Sequence, residues 1–559
     1  MDRALAWLTE TKGPAQPFFL WVHLYDAHAP YTPPSPYRER HPGRPYDGEI
    51  AAADAQVGRL MAELDRRGLA ASTVVAVAAD HGEGLGEHGE LTHGLLLYEP
   101  TLRVPLLVRA PGVAAGRVIN TPVSLVDVAP TLAGLLGESL PGRLDGRDLA
   151  DALRKAGEPA PADVYAETQY PAIFGWSPLA ALRRRDLKYI AAPRPEFYDL
   201  TRDPAEKESL AGTGKPADPA TLKGFAARIA ALEAGAVQAP RGNAVDAETR
   251  ARLASLGYVA GTAAGARAAP APRPGAPDAA AAPDPKALVD LFQRFERAHN
   301  ALKSSEPGAG AVAELSALVA ADPRNPVFRG ELARAYRQLG EMDRALPLYR
   351  RAAGDSPADP EAWYNLAAAL QEAGRAAEAR EAIEKAVHLD PGRPEAHNTL
   401  GIIHLAEGKP EEARKELEIA ASLDPRNATA LNNLGNVLRG LGRLDEAEAA
   451  YRRALAVAPR YAEPLNGLGT LEVERDRPSA ALSFFEQALR LAPGYHEVRL
   501  NQGIAHEMAG ETAAAAAAYR DFLAATGGDP QFAEQRRAAQ QLLARLSGRG
   551  TAAKPEERR

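Results

Sequence analysis

From residue 325 onward the chain repeats itself every 34 residues, and that period limits its fold more than any other feature. Leucine recurs at Leu332, Leu366, Leu400, Leu434 and Leu468, each followed by a small residue: Ala333, Ala367, Gly401, Gly435 and Gly469. Glycine recurs at Gly340, Gly374, Gly408, Gly442 and Gly510, and alanine at Ala345, Ala379, Ala413, Ala447, Ala481 and Ala515. Proline closes the units at Pro323, Pro357, Pro391, Pro425, Pro459 and Pro493. The small residues let paired helices approach closely, glycine turns the chain between them, and proline stops the second helix before the next unit begins. The period predicts stacked helix pairs that bury a core only by lying on their neighbours.

These positions resemble the tetratricopeptide repeat. The resemblance implies an all-α superhelix over 286–546 whose concave face binds a protein or peptide. Six full units fit at 325–529, a looser helical pair precedes them at 286–322, and a capping helix is expected at about 530–546. The tail, 547–559, is expected to be disordered. Asn398, Asn432 and Asn466 recur two residues before the repeating leucine, and Asn365, Asn433 and Asn501 form a second series. Amides held in register can pair with an extended peptide backbone. The pattern resembles the asparagine ladders of some tetratricopeptide glycosyltransferases, although the same amides could instead satisfy backbone groups between helices.

Residues 1–259 follow another logic. Phe18–Tyr25, Thr73–Asp80, Val104–Arg109, Val164–Glu167 and Leu187–Ala191 read as strands. Between the first two, Ile50, Val57, Leu60, Met61 and Leu64 fall at helical spacing. The alternation predicts an α/β domain with helices on a mixed sheet. The run Thr73–Ala79 reads as a buried parallel strand. Residues 260–285, rich in Ala, Pro and Gly, cannot bury a core and read as a linker. The net charge of −7, with both signs interspersed, gives no case for nucleic-acid binding. There is no cysteine, hence no disulfide, thiolate metal site or cysteine nucleophile. No run of about 18 apolar residues occurs, so no transmembrane helix is expected.

The chemistry concentrates in Asp80–Gly94, a glycine-rich stretch with three histidines and four acids. It follows a strand, and strand ends are where α/β sheets place metals and catalytic groups. Six of the twelve histidines lie before residue 94 and none between 94 and 298, a clustering that scattered core histidines would not show. Asp80 and His81 are the candidate metal ligands, since a divalent cation accepts a carboxylate oxygen plus an imidazole. His28, in a proline-rich loop after the first apolar run, suits an anion contact or a proton donor. His93 could bind a metal or contact an anionic oxygen. His23 reads as structural, His41 as an ordinary loop residue, and His88 with Glu87 as loop residues of either kind.

The order FFLWVHLYDAHAPYTPP, YDGEIAAADAQVGRLMAEL, DHGEGLGEHGELTHG, LYEPTLRVPLLVRAPG is similar to the sulfatases of the alkaline phosphatase superfamily. Phe197–Glu206 resembles that family's closing segment, and Arg252–Val259 the segment that ends sulfatases fused to tetratricopeptide repeats. The resemblance implies a metal-dependent hydrolase of sulfuric or phosphoric esters. Its cation would be Ca²⁺ first, with Zn²⁺ or Mn²⁺ as alternatives. Asp80 and His81 match the family's later ligand pair, and His28 matches a histidine that contacts the ester or its leaving group. His93 stands where many sulfatases carry lysine and more phosphatase-like relatives carry histidine, which widens the expected substrate to phosphate esters.

The family's first strand also carries two aspartates and a Cys/Ser-x-Pro-x-Arg nucleophile motif, converted to formylglycine. Neither a cysteine nor Ser-x-Pro-x-Arg occurs in these 559 residues. The expectation is therefore an incomplete metal site, an inactive and unstable first domain, and an origin in a truncated gene model or split reading frame. Any export signal, as relatives carry, would lie ahead of Met1. The alternative is a scaffold in which the repeats bind a partner and the sulfatase-like part is a non-catalytic remnant.

Overall fold

The computed structural model describes residues 1–10, 17–155, 157–212, 217–235, 282–303 and 309–549. The chain divides into two compact units, 1–239 with 268–328, and 240–267 with 329–559. The segment 252–259 and most of the Ala/Pro-rich stretch lie outside the described residues, as does the tail from 550 onward.

In the first unit, helix Pro45–Arg66 starts on a proline, whose missing N–H costs nothing in a first turn, and buries Ala52 and Leu64. Strand β1, Val75–Ala78, pairs with β2, Leu106–Arg109. The pairing is antiparallel, with Val75 opposite Arg109 and Ala78 opposite Leu106. This corrects the expected buried parallel strand: after β1 the glycine loop and the short helix Glu99–Leu102 turn the chain back, so β2 returns alongside β1. The resulting ladder is half-buried.

The expected strand Phe18–Tyr25 is also corrected. The segment's exposure alternates as a strand's does, with Phe19 at 82% and Trp21 at 81%. Among the described residues it joins no ladder, and without a partner for its N–H and C=O groups an alternating sequence makes no strand. His23 accordingly lies exposed outside any strand.

A second sheet is an antiparallel meander of β3 (Asp163–Thr168), β4 (Leu179–Arg184), β5 (Leu187–Ala191) and β6 (Glu196–Asp199), paired in chain order. Helix Pro219–Ala234, capped by the Asp218 side chain on the Thr221 N–H, lays Phe225 and Ile229 on Leu182, Tyr189 and Phe197. A sealed ion cluster ties this sheet to the segment after the histidine loop. Lys188 Nζ lies 2.7 Å from Glu206 Oε1 and 3.2 Å from Glu99 Oε1. Glu206 Oε2 accepts the Glu99 N–H at 2.6 Å, and Arg183 reaches Glu99 at 2.6 Å. The closing motif that ends in Glu206 is thus a clamp on Glu99.

Helices Val289–Leu302 and Ala309–Ala321 also belong to the first unit. Phe174 packs edge-on against Phe292, Phe295 and Phe328 and stacks on Trp176, whose indole N–H donates to Asp322 at 2.9 Å.

The described residues of the second unit form helices and the turns between them. Its helix pairs include Pro360–Glu372 with Ala376–Leu389, Pro394–Ala406 with Pro410–Leu423, Ala428–Gly440 with Leu444–Val457, Ala462–Glu474 with Pro478–Leu491, and His496–Met508 with Thr512–Ala525. Ala533–Arg549 follows them. The recurring small residue sits where helices touch: a Cβ on Gly469 would lie 2.4 Å from the Phe485 ring, and one on Gly503 2.4 Å from Tyr519. The recurring turn glycines hold φ between +71° and +77°, and Asp476 occupies the same turn position at φ +59°.

Candidate functional site

The loop that leaves β1 is pinned at its base. The Gly82 N–H donates to Thr101 O at 2.8 Å, and a Cβ on Gly82 would lie 2.1 Å from Pro100 O, so only glycine permits this approach. The Glu99 clamp therefore holds the segment against which Asp80 and His81 are placed. The loop then folds on itself through Gly84 N–H to Thr92 O at 2.8 Å and Gly86 N–H to Glu90 O at 2.9 Å.

This folding brings three of the expected histidines together. The His81 and His93 rings stack with centroids 3.7 Å apart, and His28 meets His93 edge-on at 5.3 Å. His81 Nδ1 donates to Gly82 O at 2.8 Å, which leaves Nε2 as the acceptor nitrogen, 3.8 Å from Asp80 Oδ1. His28 Nδ1 is 2.8 Å from Ala29 O and 3.0 Å from the Tyr25 hydroxyl, and its ring stacks on Tyr25. His93 Nδ1 is 3.1 Å from Glu83 Oε1. His88 turns elsewhere, stacked on Tyr98 at 3.6 Å, and Glu87 accepts the Leu85 N–H.

Glu83 was not singled out from the sequence. No sequence signal marked it, because its burial and its contact with His93 arise only when Gly84 closes the loop on Thr92. Glu90, which accepts the Leu95 N–H at 2.8 Å and the Leu96 N–H at 3.3 Å, is pushed up to about 7 by burial, against those two bonds and the nearby His93. Burial first, then the Glu83 charge, raises Tyr31 and Tyr46 above the ordinary tyrosine range.

Asp80 and His81 suit one side of a cation's shell: a carboxylate with a 74% exposed side chain beside an imidazole with a free Nε2. Among the described residues no third His, Cys, Asp or Glu completes a metal-holding group with them. The pair thus supplies about two of the six to eight donors that a Ca²⁺ shell takes.

In the second unit, Asn433 donates to Asn398 Oδ1 and Asn501 to Asn466 Oδ1, each at 2.9 Å. Two members of each series therefore pair with each other, 35 residues apart, while Asn365 donates to Glu361 Oε1 at 3.2 Å. Asn432 is 5% exposed and its amide oxygen lacks a hydrogen-bond partner among the described residues. Asn398 and Asn466 remain part-exposed, while Asn432 belongs to the packing between helices.

Known proteins match the two parts of the chain separately. The Sulfatase family model matches residues 1–138, and the model for the C-terminal part of N-sulphoglucosamine sulphohydrolase matches 86–229. The model for the cilia and flagella-associated protein 70 C-terminal domain matches 315–498. The chain is 36% identical over 194 residues to choline-sulfatase of Rhizobium meliloti (strain 1021), covering 33% of this chain and 36% of that protein. It is 31% identical over 257 residues to steryl-sulfatase of Mus musculus, covering 38% and 41%. Among solved structures, a tetratricopeptide repeat protein from Parabacteroides merdae ATCC 43184 aligns at 16% identity and a TM-score of 0.39, covering 46% of this chain and 98% of that one. Residues 1–229 are thus similar to sulfatases, and the helical region beyond them to tetratricopeptide repeat proteins. The chain spans less than half the length of the curated sulfatases named above.

Proposed function

We propose that the chain contributes one wall of a metal-dependent hydrolase of sulfuric or phosphoric esters, with the repeats as its protein-binding arm. The observation that carries this reading is the convergence of His28, His81 and His93 beside Asp80 at the end of β1. Asp80 and His81 would hold the divalent cation, Ca²⁺ before Zn²⁺ or Mn²⁺, whose chemistry is to polarise an ester oxygen. His28 and His93 would contact the sulfuryl or phosphoryl oxygens, His93 through Nε2. With no cysteine and no Ser-x-Pro-x-Arg in the sequence, these 559 residues alone turn over no ester.

The repeat arm would take an extended peptide, with the paired amides Asn398–Asn433 and Asn466–Asn501 as its hydrogen-bonding ladder and Asn432 beneath them in the core.

The test is hydrolysis of 4-nitrophenyl sulfate and bis(4-nitrophenyl) phosphate with Ca²⁺ present. The chain alone is expected to be silent. Complemented by a sulfatase segment bearing the two-aspartate strand and Cys-x-Pro-x-Arg, it is expected to turn over. Turnover by the chain alone would refute the need for an outside nucleophile. Silence of a folded complemented chain would favour the reading in which the repeats act as a scaffold and the first unit is non-catalytic.

A further inference from the structure

We propose that Glu83 is a positioning residue for His93: its carboxylate takes the Nδ1–H, so that Nε2 is the nitrogen presented to the cleft shared with His28 and His81. The proposal rests on the reading of His93 as an ester contact, yet it makes a claim about the imidazole that holds with or without substrate.

Three observations support it. First, the Glu83 side chain is 3% exposed, so its carboxylate cannot be satisfied by bulk water and needs a partner. Among the described residues the cationic or potentially cationic group within ion-pair range is His93, at 3.1 Å. An ionised carboxylate can only accept, so the proton in this contact sits on Nδ1.

Second, the approach is built into the backbone. Gly84 N–H donates to Thr92 O, and a Cβ on Gly84 would lie 2.6 Å from Glu90 O and 2.7 Å from Thr92 O. The two arms of the loop close only with glycine there, and their closure sets Glu83, one residue before, against His93, one residue after.

Third, the other neighbours of Glu83 are not cations. Tyr31 and Tyr46 face it, and each phenol is raised by burial first and by the Glu83 charge next. His93 in turn makes no hydrogen bond through Nε2 among the described residues, and its ring is held flat on His81. A ring fixed by stacking and by one Nδ1 bond has a single nitrogen left to offer a ligand. This is the logic by which an orienting group fixes the tautomer of a working histidine.

The experiment is a long-range ¹H–¹⁵N correlation on the full chain with ¹⁵N-labelled histidine, at one fixed pH of about 9, above the ordinary histidine range. His93→Gln assigns the signal. Wild type is expected to show His93 as the Nδ1–H tautomer. Glu83→Gln, whose amide oxygen still accepts, is expected to retain it. Glu83→Ala and the near-isosteric Glu83→Met are expected to shift His93 to a mixture containing Nε2–H. The signals of His397, held by Glu416 and Pro391 in the second unit, should not move. An Nε2–H tautomer in wild type, or an unchanged His93 in a folded Glu83→Ala or Glu83→Met chain, would overturn the proposal. The underlying reading fails separately, if His93→Ala leaves hydrolysis by the complemented chain intact.

Discussion

Replacing Lys188 by methionine should unlock the first unit, and the buried charges set the size of the effect. Lys188 is 1% exposed and the Glu206 side chain 0%. Removing the ammonium leaves Glu206 and Glu99 facing each other, with Arg183 still 2.6 Å from Glu99 but no cation on Glu206. Breaking a buried pair by deleting one partner costs about 3–5 kcal/mol, whereas replacing both partners by apolar groups is close to neutral. Lys188→Met should therefore cost about 3–5 kcal/mol at pH 8, and Lys188→Met with Glu206→Met about 1–3 kcal/mol, because the Glu99 N–H then loses its acceptor.

The sign of the pH dependence follows from Glu206, already raised by burial. In Lys188→Met its folded-state pKa rises further. The folded state then binds the proton more tightly than the unfolded chain, so the deficit shrinks as the pH falls toward the ordinary carboxylate range. The assay is urea unfolding by tryptophan fluorescence in a Trp363→Phe background, which leaves Trp7, Trp21 and Trp176 to report on the first unit. A cost below about 1 kcal/mol for the single variant, or additive costs in the double variant, would refute a sealed clamp.

Three smaller tests follow. Asp476→Gly should stabilise the second unit by about 1 kcal/mol, because Asp476 alone among these repeat turns holds a left-handed φ without being glycine; a melt showing no gain would contradict this. Gly469→Ala should cost about 1–3 kcal/mol by forcing a methyl against Phe485, read by the same melt. Glu90, at about 7 in the fold against an ordinary 4.5, favours the folded state below pH 4.5 and withdraws about 3 kcal/mol as the pH rises through 7. Glu90→Gln should flatten that slope, and an unchanged stability profile between pH 4.5 and 8 would count against it.

The repeat region was legible because its information is periodic: five positions recur with one physical role each, and the helix pairs follow. The loop was legible for a different reason, since glycines and histidines at a strand end have few structural uses. What sequence reasoning missed is non-local. Leu179-Ala-Ala-Leu-Arg-Arg is rich in helix formers yet forms β4, because its flanking partners β3 and β5 and the helix over it decide the conformation. β6 was likewise not anticipated, since Glu196-Phe-Tyr-Asp is too short to show alternation. Phe18–Tyr25 failed in the opposite sense: it has a strand's alternation and no described strand beside it. Glu83 was hidden because its role depends on Gly84 closing the loop, a contact visible only once the backbone is folded.

The central claim is that Asp80, His81, His28 and His93 form the working wall of an ester hydrolase. It is tested most directly by the initial rate of 4-nitrophenyl sulfate hydrolysis in the complemented chain with Ca²⁺, comparing the unaltered sequence with Asp80→Ala and His93→Ala. The account predicts measurable turnover that falls at least about 100-fold in either variant, the scale on which a positioned acid–base or electrostatic group contributes. Equal rates in all three chains would contradict it.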